Sequence, residues 1–166
     1  YLKAGVPVLG IEPAQNIAKV ATERGIDTVC EFFGKQCAQQ LKNQGKQADV
    51  IHGNNVLAHV ADLNGVAEGI GVILKPNGMA SIEVPYVRDM VDHVEFDTIY
   101  HEHLCYFSLT ALNKLFRQHN LFITDVERIS IHGGSLRIFI TKNDAPSAAV
   151  KELLAEEQKI GMNTVG

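Results

Sequence analysis

The stretch D-V-I-H-G-N-N (49–55) is followed by an amphipathic segment and then by the apolar run M-A-S-I-E-V (79–84). Between the two runs, apolar residues from Leu63 to Leu74 recur at the i, i+3, i+4, i+7 spacing of one helix face. The intervening K-P-N-G (75–78) predicts a turn. A strand, a helix and a second strand in this order predict two parallel strands joined by a right-handed crossover.

The same alternation extends towards the amino terminus. Residues 6–11 (V-P-V-L-G-I) and 26–33 are predicted strands, because they are short, apolar and rich in β-branched residues. Residues 35–44 and a segment from Asn16, as its cap, to residue 23 are predicted helices. Alternating units of this kind predict an α/β fold with a doubly wound, mostly parallel sheet.

After residue 85 the alternation stops. Residues 86–107 have no clear period and are predicted to form an inserted loop or lid. Ser108 is expected to cap a helix that extends to His119. Residues 121–129 and 135–142 predict an antiparallel hairpin at the sheet edge.

The chain has no methionine at position 1 and ends just after a charged amphipathic helix predicted over residues 150–160. We therefore interpret it as a piece of a longer protein. Residues 1–145 are expected to form a partial core domain. Residues 146–166 are expected to begin another domain or to form a linker helix.

Composition excludes several kinds of partner. A net charge of −4 without a basic stripe gives nucleic acid no electrostatic attraction. The apolar stretches are shorter than a membrane span, and no secretory signal is visible. Cys30, Cys37 and Cys105 form no C-x-x-C pair and are odd in number, which favours a reduced, cytoplasmic protein without a disulfide framework or a metal site.

In open parallel sheets, ligands bind beyond the carboxyl ends of the strands. The carboxylate of Glu12, before Pro13, could accept hydrogen bonds from both ribose hydroxyls, although such an acid is equally often a solvated turn residue. Phe32 or Phe33 could cover an adenine face, and strand alternation allows only one of the two to do so.

The next strand ends carry Asn54, Asn55 and Glu83, with His59 close by. Asparagines at such positions more often form turns than bind ligands, and His59 could simply begin a helix. Four successive strand ends with chemistry suited to a nucleoside nevertheless favour a nucleoside site. No G-x-G-x-x-G or P-loop motif accompanies them.

The run Y-H-E-H (100–103), followed by Y-F-S (106–108), concentrates proton-handling side chains. Two imidazoles, a carboxylate and two phenols are too costly to desolvate for core packing alone. The run could still be a solvated loop, or His101 and His103 could bind a metal. A proton-transfer step beside a bound nucleoside is the hypothesis that fits the whole chain best.

The chain resembles the S-adenosylmethionine-dependent sugar C-methyltransferases, which act on nucleotide-linked 4-keto deoxysugars. The resemblance covers nearly the whole chain and is carried by these stretches: V-L-G-I-E-P-A (8–14), G-N-N-V-L-A-H-V-A-D (53–62), E-V-P-Y (83–86), F-D-T-I-Y-H-E-H-L-C-Y-F-S (96–108) and H-G-G-S-L-R (132–137). It implies a Rossmann-like class I methyltransferase sheet. In that family a zinc-binding region, the glycine-rich cofactor loop and the central strand precede the equivalent of Tyr1, so the sheet is expected to be incomplete, with zinc only in that preceding region. A second α/β domain follows the equivalent of about Ala148.

For the cofactor S-adenosylmethionine, the resemblance implies that Glu12, beside Pro13, holds the ribose. Phe33 or its neighbour Phe32 would pack on adenine. Asn54, with Asn55 next to it, would line the methionine side.

For catalysis, the resemblance implies that His103 is the general base and His59 a second imidazole at a small-molecule substrate, a nucleotide sugar. Tyr100 and Glu102 would orient groups or relay protons. The chemistry agrees, because removing a proton next to a ketone suits a base whose pKa is near neutrality. Tyr100 or His59 could meet the developing enolate oxygen.

Three other functions remain open from the sequence. Methyl transfer to oxygen or nitrogen would need the same cofactor site and a simpler base. A non-catalytic domain that only binds a nucleoside or a partner is a second possibility. A metal hydrolase using His101 and His103 is the third, and it has no further ligand at a suitable spacing nearby.

Overall fold

A computed structural model describes residues 1–163 of the chain. Strands and helices alternate as β1 Leu9–Ile11, α1 Gln15–Glu23, β2 Asp27–Val29, α2 Lys35–Asn43, β3 Ala48–Asn54, α3 Leu63–Ile73, β4 Leu74–Pro85, α4 Val87–Asp92, α5 Leu109–Arg117, β5 Phe122–Ile129, β6 Ser135–Thr141 and α6 Ala148–Lys159. Residues 164–166, the end of the predicted segment 146–166, lie outside the described residues. The predicted α/β class is confirmed.

The strands form two sheets rather than one. Strands β1 and β2 pair in parallel, with Leu9 opposite Asp27. The other four strands have the order β3-β4-β6-β5, and among residues 1–163 no ladder joins the two sheets. This arrangement confirms the prediction of an incomplete doubly wound sheet, since a continuous sheet would need one more strand between the two parts.

Strands β3 and β4 are parallel neighbours, connected by α3 as predicted, with Asn54 opposite Glu83. The turn predicted at residues 75–78 instead lies within β4, where the register jumps between Ala48 and Val50. A Cβ atom on Gly78 would lie 2.9 Å from the carbonyl oxygen of Asp49. The backbones therefore approach closely enough at this glycine for β4 to continue past the irregularity as a bulge.

Strands β5 and β6 form the predicted antiparallel hairpin, with Val126 opposite Ile138. Strand β6 also pairs antiparallel with β4, so β5 is the edge strand. The main core lies between this sheet and helices α3, α5 and α6, which contribute residues such as Ile70, Leu112 and Val150. A smaller cluster lies under α2 and has Cys37, Ala38 and Leu41 at its centre.

Of the two predicted helix caps, Ser108 and Asn16, the structure has only the first. Ser108 caps α5 as predicted, since its hydroxyl accepts a hydrogen bond from the amide of Ala111 at 3.1 Å. The Asn16 cap is wrong, because α1 begins at Gln15 with Ala14 as its N-cap. The Glu12 carboxylate accepts a hydrogen bond from the Ala14 amide at 2.8 Å and so shapes the turn that leads into the helix. The helix then begins at Gln15, one residue before Asn16.

Residues 86–107, hereafter the lid segment, contain the short helix α4 and one turn of 3₁₀-helix at Phe96–Thr98, so they have more regular structure than their sequence indicates. The two ends of the lid segment meet, because the amide of Val87 donates to the carbonyl oxygen of Phe107 at 3.0 Å. Tyr86 and Phe107 also form an isolated parallel bridge. The lid segment is therefore a closed excursion that leaves and rejoins the fold at one point.

Candidate functional site

His103 is held by hydrogen bonds at both ring nitrogens. Its Nδ1 lies 3.0 Å from the carbonyl oxygen of Thr98, and its Nε2 lies 3.0 Å from the hydroxyl group of Tyr100. A carbonyl oxygen only accepts hydrogen bonds, so Nδ1 carries the proton and Nε2 presents a lone pair to the Tyr100 hydroxyl. With Nδ1 directed at the Thr98 carbonyl oxygen, Nε2 is the ring nitrogen of His103 that can act as a base.

His59 lies beside His103, with 4.9 Å between the ring centroids. It belongs to a 3₁₀ turn, Leu57–His59, that follows the carboxyl end of β3. Its Nδ1 lies 2.9 Å from the carbonyl oxygen of Glu102, which by the same reasoning makes Nδ1 the protonated nitrogen. The amide of Leu104 donates to the carbonyl oxygen of Ala58 at 2.8 Å and fastens the lid segment to this strand end.

Glu102 takes part through its main chain. Its carboxylate lies 3.8 Å from Nε2 of His101, and both side chains are exposed. The Glu102 side chain thus lies nearer to His101 than to His103, and a role for it in orienting groups or relaying protons stays a prediction. Consecutive residues in this turn project to different sides, and only the carbonyl oxygen of Glu102 reaches His59.

Thr98 and Tyr106 also contribute to the cluster, although neither was assigned a role from the sequence. Thr98 acts only through its carbonyl oxygen, which also accepts a hydrogen bond from the hydroxyl of Tyr106 at 3.3 Å. The Tyr106 ring meets the His103 ring edge to face, with 5.9 Å between centroids. A main-chain acceptor is independent of residue type, so only Tyr106, as part of Y-F-S, could have been identified beforehand.

Asn54 and Asn55, near the ends of β3 and β4, differ in exposure and in hydrogen bonding. Asn54 is exposed at the end of β3. Asn55 has a φ of 52°, in the left-handed region that asparagine tolerates, and its amide donates to the carbonyl oxygen of Glu83 at 3.0 Å. Among the described residues, the Oδ1 atom of Asn55 is buried and has no hydrogen-bond partner. A buried acceptor of this kind suits a ligand donor such as an ammonium or hydroxyl group.

Glu83 has a structural partner on the neighbouring strand. Its carboxylate lies 2.6 Å from Nη2 and 2.7 Å from Nε of Arg137, which is its register partner on β6. Arg137 also pairs with Glu127 at 2.9 Å. Glu83, noted at a strand end, is therefore held by an ion pair within the sheet, whereas among the described residues the buried Oδ1 of Asn55 has no partner.

A cleft of about 450 Å³ lies at the carboxyl ends of β1 and β2. It is lined by Pro13, Cys30, Glu31, Phe32, Gln36, Cys37 and Gln40. Phe32 is 84% exposed, whereas Phe33 is partly buried and packs against both core clusters. Strand β2 ends at Val29, so strand alternation does not apply to these two residues, but only Phe32 has an exposed ring.

The residues of this cleft fit an adenosine group. An exposed aromatic ring can stack on a purine. Glu12 does not line the cleft but follows β1 directly and precedes Pro13, which does, so a carboxylate that can accept hydrogen bonds lies next to it. Burial raises the pKa of the Cys37 thiol, and the negative charge of Glu31 raises it further. Cys37 thus stays a neutral, weakly polar wall of the cleft.

The loop at residues 132–135 approaches the lid segment from the sheet. His132 has a φ of 52° and Gly134 a φ of 140°. A Cβ atom on Gly134 would overlap the side chain of Asp89, so glycine is required there. The amide of Tyr86 donates to the carbonyl oxygen of Gly134 at 3.0 Å. This loop supports the first residue of the lid segment.

The described residues, 1–163, bear on metal binding and on membrane insertion. In that range no three side chains of the His, Cys, Asp or Glu type come together in a way that could hold a metal ion. None of the helices described has the length and apolar character needed to cross a membrane.

Comparison with known proteins gives a consistent result. A family profile described as a methyltransferase domain matches residues 2–126. C-methyltransferase NovU of Streptomyces niveus is 37% identical over 98% of this chain. The chain spans only 39% of the length of that curated relative.

Solved structures resemble the fold at low sequence identity. The magnesium protoporphyrin IX methyltransferase of Synechocystis, solved with bound SAH, has a TM-score of 0.63 at 11% identity, over 85% of this chain and 66% of that one. The 1,6-didemethyltoxoflavin N1-methyltransferase of Burkholderia thailandensis, solved with S-adenosylhomocysteine, has a TM-score of 0.58 at 19% identity, over 86% of this chain and 64% of that one. The profile match covers most of the sequence, and the open Rossmann-like sheet is shared with solved methyltransferases. This chain therefore belongs to the methyltransferase-domain family.

Proposed function

We propose that the protein is an S-adenosylmethionine-dependent C-methyltransferase that acts on a nucleotide-linked 4-keto deoxysugar. The observation that carries the proposal is the pair of imidazoles His59 and His103, each with a main-chain carbonyl oxygen at Nδ1. Methyl transfer to carbon requires removal of a C–H proton, and an imidazole whose Nδ1 is fixed by a carbonyl oxygen can accept that proton at Nε2. The 37% identity to a C-methyltransferase supports the same reaction type.

The cofactor would occupy the cleft at β1 and β2, with its adenine on Phe32 and its ribose on Glu12. Its amino-acid end would extend towards Asn55, whose buried Oδ1 has no partner among the described residues. When bound, S-adenosylmethionine supplies an electrophilic methyl group on a sulfonium. The protein's own contribution is alignment and exclusion of water.

The substrate would lie under the lid segment, with the carbon next to its ketone facing His103. Nε2 of His103 takes the proton, and the electron pair of the broken C–H bond forms the carbon–carbon double bond of an enolate. The carbon activated in this way would be the position that receives the methyl group supplied by the cofactor. Oxygen-linked or nitrogen-linked methylation would need no such C–H cleavage.

Tyr100 has a second role in this scheme. Its hydroxyl occupies Nε2 of His103 at 3.0 Å, so it has to leave that nitrogen before the nitrogen accepts a substrate proton. A rotation of the phenol towards the ketone would free Nε2 and bring a donor to the developing oxyanion in one movement. Tyr100 is 42% exposed and has the space to move.

The test is to incubate the native protein with methyl-labelled S-adenosylmethionine and a panel of nucleotide-linked 4-keto deoxysugars. We expect one of the sugars to gain a methyl group on the carbon next to the ketone, as resolved by NMR. Label on oxygen or nitrogen would reject the C-methyltransferase assignment in favour of the simpler transfer. Absence of S-adenosylmethionine binding by the native protein would reject every methyltransferase function.

A further inference from the structure

The carboxylate of Glu157, on helix α6, is fully buried and reaches both ends of the lid segment. Its Oε1 accepts hydrogen bonds from the hydroxyl of Tyr86 at 2.9 Å and from the amide of Leu109 at 2.7 Å. Its Oε2 accepts from the amide and the hydroxyl of Thr110, at 2.7 Å and 2.5 Å. Tyr86 is the first residue of the lid segment, and Leu109 and Thr110 follow shortly after its last residue. One carboxylate therefore joins the start of the lid segment to its end.

The place of this carboxylate in the core is unusual on physical grounds. Glu157 and Tyr86 are each 0% exposed. Burying a carboxylate is costly, and a well-packed apolar residue is often as good for stability. Here four hydrogen bonds satisfy both oxygens, and two of them come from the first amides of α5, where the helix dipole favours a negative charge. Unlike an apolar residue, the carboxylate forms directional hydrogen bonds that join Tyr86 to the start of α5.

A second contact links the same helix to the lid segment. The guanidinium of Arg88, on α4, lies 2.6 Å from the carboxylate of Glu156. Helix α6 thus contacts the lid segment at Tyr86 and again at Arg88. The rest of α6 is fixed to the main core through Val150 and Leu153. It lies outside residues 2–126, the part that matches the methyltransferase-domain profile.

We propose that Glu157 is a positioning residue that sets the placement of the lid segment and, through it, of His103. The inference rests on the proposed function in one respect, because it assigns His103 the proton-removing role. Glu157 touches none of the reacting groups. It acts by fixing both ends of the lid segment, which carries Thr98, Tyr100 and His103 between them.

The test compares three variants of the native protein. Glu157→Gln keeps the shape of the side chain but turns an NH₂ group towards donors that need an acceptor. Tyr86→Phe removes only the hydrogen bond to the start of the lid segment. Glu152→Gln, at an exposed position of the same helix, is the control for loss of one negative charge.

The first measurement is hydrogen exchange by mass spectrometry, which does not depend on any assignment of function. We expect Glu157→Gln to raise amide exchange at residues 86–107 by about tenfold or more while β3 and β6 stay protected. Tyr86→Phe should give the same pattern at a smaller size and is the second variant if Glu157→Gln fails to fold. Exchange equal to that of Glu152→Gln, or a rise spread over the whole sheet, would overturn the proposal.

The second measurement separates positioning from simple stability. In Glu157→Gln we expect turnover to fall by about 10–100-fold, the usual result of displacing a reacting group by about an ångström, with the Kd for S-adenosylmethionine unchanged. The loss should vanish in a His103→Ala background, because both changes disable the same group. Unchanged turnover, or a loss that multiplies with that of His103→Ala, would overturn the positioning role. Full turnover by His103→Ala alone would instead reject the proposed base, and the exchange data would still decide whether Glu157 holds the lid segment.

Discussion

The hydroxyl group of Tyr100 lies 3.0 Å from Nε2 of His103, the nitrogen that the Thr98 carbonyl leaves without a proton. The proposed base is thus occupied by the residue best placed to assist it. The two rings are only 4.3 Å apart at their centroids. A small rotation of Tyr100 would therefore decide whether Nε2 of His103 has a hydrogen-bond partner.

Replacing Tyr100 by Phe removes the hydroxyl and keeps the ring. We expect turnover to fall by about 100-fold, since loss of one donor to a developing oxyanion typically has that effect. Tyr106→Phe is the matched control, because its hydroxyl bonds only the Thr98 carbonyl, at 3.3 Å, and should cost less than about tenfold. Steady-state kinetics of both variants measures the difference. Equal effects would show that Tyr100 has no special role.

Replacing His103 by Asn retains a donor near Nδ1 and removes the base. We expect methyl transfer to slow by about 10²–10⁴-fold, the usual contribution of a positioned base, while the Kd for S-adenosylmethionine barely changes. His101→Asn alters the neighbouring, largely exposed imidazole and should retain normal turnover. Single-turnover assays with titrated cofactor separate binding from chemistry. Normal turnover in His103→Asn would remove this residue from the mechanism.

Phe32 and Phe33 should respond in opposite ways to truncation. Phe32→Ala removes an 84% exposed ring, so we expect S-adenosylmethionine binding to weaken by about 1–3 kcal/mol, with the free energy of unfolding unchanged within about 0.5 kcal/mol. Phe33→Ala removes a ring that packs against both core clusters and should lower the free energy of unfolding by about 2–4 kcal/mol. Calorimetric titration and urea unfolding provide the two quantities. The reverse pattern would mean that Phe33 is the adenine contact.

Cys30 and Cys37 offer a chemical probe of the same cleft. Cys30 is exposed, whereas Cys37 is buried and its pKa is raised, so iodoacetamide should modify Cys30 and leave Cys37 unmodified. Both residues line the cleft with Phe32. Saturating S-adenosylhomocysteine should slow alkylation of Cys30, as followed by peptide mass mapping. Equal rates with and without the ligand would place the adenosine group elsewhere.

Asp144 should contribute a pH dependence to stability. Arg117 donates two hydrogen bonds of 2.8 Å to its carboxylate, and they hold the pKa of Asp144 below its usual value. A pKa lowered by folding stabilises the native state above the unfolded-state pKa of about 4, and this contribution is lost as the pH falls through the folded-state value. Asp144→Asn, and equally Arg117→Gln, should therefore flatten the decline in urea stability below about pH 5. Curves parallel to that of the wild type would contradict this account.

The order of strands and helices could be read from the sequence because local periodicity determines it. The helix face from Leu63 to Leu74 and the Ser108 cap are confirmed almost to the residue. The sequence predicts a turn at 75–78, but these residues belong to β4, because pairing with β3 outweighs the local turn preference. The lid segment was underestimated because α4, at six residues, is too short for a helical period to show.

The identities of the site residues came from the sequence, but their partners did not. Local order along the chain determined which side chains are near the strand ends: Glu12, Phe32, Asn55 and His59. The tertiary structure decided that Phe32 rather than Phe33 is exposed, that the Glu102 side chain turns towards His101, and that Thr98 sets the proton position on His103. The packing of Phe33 against both core clusters joins distant parts of the chain, so the local sequence does not show it. The Thr98 contact uses a main-chain oxygen, which every residue type has, and therefore leaves no trace in a single sequence.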